Sequence, residues 1–259
     1  VKASLGLSNI ELGILTAVKQ FTAGPLTLPS GFLADLFRRH TAIILASAFV
    51  AFGISHFLVA QAPTFAWMIP SVALLGVGTA LWHPASIGSL SRRFPDRRGS
   101  ALAVHGVGAS VGDTIAPVAI GFLLLSMSWQ QLLELQIIPG VLVALALWKG
   151  LGPIFKNQVG TRSSVGSYWS DIKSLLRHHV VLAIIGVNVL TGMARLTVTT
   201  FLPIYIQDDL NYSAFGLGFF WGLLHMMGAV SQPVMGYLSC LLYTSPRPRA
   251  ATLSRMPSS

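Results

Sequence analysis

Charge is scarce in this chain. Only 10% of its 259 residues are Asp, Glu, Lys or Arg, and the 8 acids are outnumbered by 17 Lys and Arg. Ordinary soluble domains carry about a quarter charged residues. Cysteine occurs once, as Cys240, which excludes a disulfide framework or a Cys-based zinc site within the chain. No His-x-x-x-His or Glu-x-x-His spacing occurs, and the seven histidines are scattered. That speaks against an intramembrane metal enzyme, whose ligands must converge. Basic stripes with interleaved aromatics are also missing, so the net charge of +9 does not read as a nucleic-acid surface. The start, Val1-Lys2-Ala3-Ser4, has no initiator Met and no signal-peptide pattern, and is expected to be a cut end.

What the chain has is apolar length. Hydrophobic residues make up 53%, and the mean hydropathy is +0.68. Segments near 11–34, 41–61, 66–89, 100–125, 129–149, 180–205 and 214–239 approach the ~20 apolar residues that a membrane-spanning helix needs. The fold class expected is an all-α integral membrane bundle. Alternate connections are basic: Arg38 and Arg39; Arg92, Arg93, Arg97 and Arg98; then Lys149, Lys156, Arg162, Lys173 and Arg177. The positive-inside tendency places these loops in the cytoplasm of a multi-pass protein of the inner (plasma) membrane.

Residues 150–179 form the one long polar connection. Val165, Trp169, Ile172, Leu175 and Leu176 recur there at helical spacing beside Lys173 and Arg177, so an amphipathic helix on the inner leaflet competes with a plain linker. The expected division is a helical bundle over 1–149, a central loop over 150–179, the start of a second bundle over 180–239, and a tail over 240–259. Pro29-Ser30-Gly31-Phe32-Leu33-Ala34-Asp35 and Pro233-Val234-Met235-Gly236-Tyr237-Leu238-Ser239 suggest an internal repeat. Beyond Ser239 the pattern stops and the tail turns basic and Pro-rich; it is expected to be non-native, with a genuine basic tail as the alternative.

Gly31-Phe32-Leu33-Ala34-Asp35 followed by Arg38-Arg39 resembles the loop between the second and third spans of the major facilitator superfamily, with Phe37 a modest departure. Leu81-Trp82-His83-Pro84-Ala85-Ser86, Arg92-Arg93-Phe94-Pro95-Asp96-Arg97-Arg98-Gly99 and His105-Gly106-Val107-Gly108-Ala109-Ser110-Val111-Gly112 resemble its fosmidomycin-resistance branch of drug efflux proteins. The resemblance implies a fragment covering spans two to eight of twelve. It implies proton-coupled export of small drug-like, amphiphilic or anionic compounds by alternating access, with uptake of an organic anion or metabolite as the alternative. It further implies no catalysis, metal or cofactor, and a transporter that is monomeric when full length and partnered by its substrate, protons and the lipid bilayer.

Site residues follow from the same reading. Gly31, Asp35, Arg38, Arg39 and one of Arg92 or Arg93 are expected to form a latch on the cytoplasmic side, the alternative for the arginines being simple topology anchors. The span from Ser100 places Ala101, His105, Gly108, Gly112 and Ala116 on one helical face, which allows close packing. With Pro117 and Gly121 it resembles the family's antiporter signature, though Ala116 and Ile120 depart from it. Asp113, Lys19 and Arg195 are charges deep in spans, expected to pair within a proton and substrate pathway near His83 and His105. A structural ion pair and hydrogen-bonded packing histidines are the alternatives. Glu134 is expected to face water.

Overall fold

The computed structural model describes residues 2–158, 160 and 164–244, the side chains of Ala3 and 239–244 excepted. Its described elements are helical: α1 (Lys2–Leu5), α2 (Asn9–Leu36), α3 (Thr41–Ala60), α4 (Phe65–Arg93), α5 (Arg98–Leu123), α6 (Trp129–Leu135), α7 (Ile137–Phe155), α8 (Val165–Leu176), α9 (His179–Asp208) and α10 (Ala214–Thr244). Among the described residues six stretches are long and apolar enough to cross a membrane: Arg38–Ala60, Phe65–Arg93, Pro95–Leu123, Trp129–Phe155, His179–Asp208 and Ala214–Leu238. The expected seventh span, α2, has the length at 28 residues but falls short in apolarity, because Glu11, Lys19, Asp35 and two prolines interrupt it.

Helix starts are chemically specified. Ser8 and Glu11 form a reciprocal capping box, as do Ser128 and Gln131, each pair satisfying backbone N–H groups that the first turn leaves open. The expected span 129–149 is in fact two helices, broken at Gln136, and α7 continues to Phe155. Between the end of α7 at Phe155 and the start of α9 at His179, Val165–Leu176 is helical, as α8. Backbone helix in α10 runs past Ser239 to Thr244, while 245–259 of the suspected tail lies outside the described residues.

α2 runs along α4; α3 packs on both α4 and α7; α5 packs chiefly on α10. The interior is built from small and hydroxyl side chains, Ala34, Ala48, Ala80, Ala85, Thr41 and Ser55 among them, while Leu, Ile, Val and Phe point outward in large numbers. This inversion of the soluble pattern is what lipid requires, since apolar side chains gain nothing by leaving hydrocarbon and helices gain by close approach. At Gly76 a Cβ would sit 2.6 Å from the Lys19 carbonyl oxygen, so only glycine lets α4 lie against α2 there. Gly121, Gly218, Gly222 and Gly236 do the same along the α5–α10 contact.

Proline supplies a second device. Pro84 lacks an N–H and so leaves the Ala80 carbonyl of α4 without its helical partner. Ser30 of α2 fills the gap, its hydroxyl donating to Ala80 O at 2.6 Å. Between α3 and α4, Ser55 donates to Ser71 O at 2.7 Å. The basic helix ends gather on one face: the turn Arg38–His40 lies against α7, and the end of α4 meets the end of α2.

Candidate functional site

At that basic end, Asp35 occupies the last turn of α2, where the helix dipole disfavours negative charge. Guanidiniums compensate. Arg92, in the last turn of α4, donates to Asp35 Oδ1 at 2.8 Å, and Arg38 Nη2 lies 3.7 Å from the same oxygen. Among the described residues the Nε of Arg38 and the Nε and Nη2 of Arg92 are buried without a hydrogen-bond partner. Of the two arginines at the end of α4, Arg92 is in contact with Asp35. Arg93 instead lines a separate apolar cavity of about 320 Å³ with Trp82 and His105, and Arg39 borders a groove with Trp148 and Lys156. Gly31 sits one turn above Asp35, where a Cβ would lie 3.5 Å from Pro84 and 3.6 Å from the Tyr168 hydroxyl.

The second cluster lies along the middle of the helices. Lys19 is about 15 Å along α2 and Arg195 about 24 Å along α9 at the helical rise. They lie within electrostatic range of each other, as Lys19 does with His56 and His83, and His83 with His105. Lys19 and His56 line a cavity of about 440 Å³ with Phe49, Phe52, Thr79 and Gln136. His105 also stacks at a tilt on Trp82, ring centres 6.1 Å apart. Among the described residues neither Lys19 nor Arg195 has a carboxylate within 4.0 Å.

The expected pairing of Asp113 with one of these cations is corrected by the geometry. Asp113 faces α10, where His225 Nδ1 stands 3.9 Å from its Oδ2. The physical reason is helical phase: α5 turns Asp113 to the α10 side along with Ser110, whose hydroxyl accepts from Gln232 Nε2 at 2.7 Å. The small-residue stripe is displaced in the same way. A Cβ at Gly108 or Gly112 would meet nothing within 4 Å, and Ala116 is exposed. The face that packs on α10 instead carries Gly106, Ser110, Thr114, Pro117 and Gly121, where the glycines of α10 come against the carbonyls of Thr114 and Pro117. His56, His225, Gln232 and Tyr168 were passed over in the sequence. His56 and His225 carried only the signal of being polar in an apolar run, and Gln232 that of preceding a proline. Glu134 accepts from the amide of Gln61 near the opposite end of the bundle. No group of three His, Cys, Asp or Glu among the described residues is placed to hold a metal ion.

The arrangement is thus a cavity lined by Lys19 and His56, an ion-paired cluster of Asp35, Arg92 and Arg38 at one end of the bundle, and polar contacts between α5 and α10. Comparison with known proteins adds an independent line. A family model described as Major Facilitator Superfamily matches residues 1–253. Methyl viologen resistance protein SmvA of Salmonella typhimurium is 26% identical over 235 residues, covering 90% of this chain and 44% of that protein. The nitrite extrusion protein of Bacillus subtilis is 21% identical over 240 residues, covering 92% of this chain and 58% of that protein. The chain thus spans about half the length of the curated relatives it matches. No solved structure gives a significant match.

Proposed function

The chain belongs to the Major Facilitator Superfamily, and from that membership we propose that the intact protein is a proton-coupled exporter of small anionic or amphiphilic compounds working by alternating access. Lys19 on the cavity wall, within electrostatic range of Arg195, is the observation that carries the substrate class. Two cations without a carboxylate partner among the described residues are costly in a low-dielectric setting unless a counter-charge or water reaches them. A negatively charged substrate supplies that counter-charge. The two relatives' names point to methyl viologen and to nitrite, the first doubly cationic and the second anionic; the charge of this cavity favours the anion. Phe49 and Phe52 on the cavity wall suit an apolar body attached to the charged group.

Asp113 is the proton carrier in this reading, with His225 as its partner on α10. A carboxylate that is ionised in one access state and protonated in the other couples proton entry to substrate exit. Asp35, Arg92 and Arg38 form the latch, released when the two bundles rock apart at their basic, cytoplasmic end.

The test uses the intact protein in vesicles with an imposed pH gradient. Substrate moving against the proton flow, at a rate that Lys19→Gln or Arg195→Gln lowers at least tenfold for anions and not for cations, is the expected outcome. Accumulation with the protons would make the protein an importer. Equal loss for both substrate charges would remove the anion assignment.

A further inference from the structure

Apart from α2, α8 is the one described helix of more than seven residues outside the stretches that are long and apolar enough to span, and at 12 residues it is too short to cross a bilayer. Its place in the fold is fixed at both edges. Before it, the Gly160 backbone lies against the Leu36 carbonyl at the end of α2. Within it, the Tyr168 hydroxyl donates to Leu28 O at 3.0 Å, and the Tyr168 ring packs on Phe32 with centres 5.0 Å apart. After it, Arg177 and His178 are all that separate Leu176 from the spanning helix α9. A helix so close to the end of a span lies at the depth of the membrane surface.

Its sequence is arranged for that depth. At 3.6 residues per turn, Val165, Trp169, Ile172 and Leu176 fall within an arc of about 60°. Tyr168 sits at one margin of the arc and is used up on α2. Toward the other, Val165, Trp169 and Leu176 are 58%, 48% and 46% exposed. Lys173 and Arg177, both exposed, follow about 40° and 80° beyond Trp169, and Ser167, Ser170 and Ser174 occupy the opposite side. An indole flanked by basic residues at the border of an apolar face is the pattern of a helix lying in the headgroup layer. The cations select anionic lipid.

We infer that α8 is a bilayer-anchored clamp: its Val165–Trp169–Leu176 face and the adjoining Lys173 and Arg177 bind the anionic phospholipid surface, while Tyr168 holds the inner end of α2. This rests on the membrane spans and not on the transport reading, and its test needs no substrate. The partner it commits to is lipid, by the charge of Lys173 and Arg177 and by the continuity of α8 with α9.

The experiment places a nitroxide at Leu176→Cys or Ser174→Cys, in a Cys240→Ser background, in vesicles of phosphatidylcholine alone or mixed equally with phosphatidylglycerol. In the mixed vesicles position 176 should relax with oxygen in preference to a water-soluble nickel chelate, and position 174 should show the reverse. Lys173→Gln with Arg177→Gln should weaken surface binding about thirtyfold, from roughly a fivefold loss per removed charge, and phosphatidylcholine alone should weaken it in the same direction. Chelate access at 176 equal to that at 174 would overturn the inference, as would protection of 176 from both reagents, which would mean a protein covers the face. A contrast indifferent to lipid charge would overturn the anionic partner. Should the double variant loosen α8, seen as a mobile spectrum at 174, the unaltered protein in the two lipids decides.

Discussion

Replacing Asp35 with asparagine keeps the size of the side chain and removes its charge. What is lost is worked from the contact itself. A shielded hydrogen bond to a charged group contributes about 1.5–3 kcal/mol, whereas an exposed ion pair contributes about 0–1 kcal/mol. Asp35 and Arg92 side chains are 41% and 28% exposed, which places this contact between the limits, at about 1–1.5 kcal/mol after allowance for solvent screening. Arg38, 3.7 Å from the same oxygen, adds in the same sense, because neutralising Asp35 leaves two guanidiniums facing each other. If the contact exists in one access state only, its loss shifts the ratio of the two states by up to about tenfold. The assay is twofold in the intact protein: initial efflux from vesicles under a pH gradient, and labelling by an impermeant maleimide of a cysteine placed at the Asp35 end of α2. Asp35→Asn should insert at normal levels, label about tenfold faster and export more slowly, the tenfold following from the same energy. The swap of Asp35→Arg with Arg92→Asp should recover much of both. Normal efflux with unchanged labelling in Asp35→Asn would show that this ion pair is no latch.

Asp113→Asn should abolish the response of transport to an imposed pH gradient while the protein still folds; retained coupling would reassign the carrier. Gly76→Leu should drive side-chain atoms into the Lys19 backbone and lower stability by about 1–3 kcal/mol, the usual cost of overpacking, read as an earlier melting transition in detergent. Tyr168→Phe should loosen α8 from α2 by about 1 kcal/mol, seen as faster hydrogen exchange across 164–176. Burial, and secondarily the charge of Asp35, holds the Tyr168 hydroxyl above the ordinary tyrosine pKa. A raised pKa in an acid means the folded state favours the protonated donor, so the Leu28 bond should persist through neutral pH. It should weaken only as pH climbs past about 10, the unfolded value, toward the higher folded one; loosening below pH 8 would contradict the assignment.

Element type and family were legible because both are written in long-period signals. Apolar stretches of span length mark the helices, and Gly31–Arg39 marks the family. The finer branch resemblance rests on about thirty residues and adds no geometry. Pairing was less legible. Asp113 was matched to cations at similar depth, yet partner choice depends on helical phase and on which neighbour lies there, and only the packing of α5 on α10 selects His225. The same ambiguity displaced the glycine stripe, since small residues occur on more than one face of α5 and the sequence does not say which face meets a partner helix. α2 was read as a span, with Lys19 deep in it and Asp35 at its end already singled out. Its interruptions are what equip it to line a cavity at Lys19 and meet Arg92 at Asp35.

The Ser30 hydroxyl seated on the Ala80 carbonyl has a mechanical side. It rivets two helices at the level where Pro84 has weakened one of them, so the pair swings as a single lever instead of bending separately. Asp35 lies five residues to one side of that rivet, and on the partner helix His83 lies three residues past Ala80. A tug at the ion-paired end thereby moves both helices together, with no relay of shifting side chains in between.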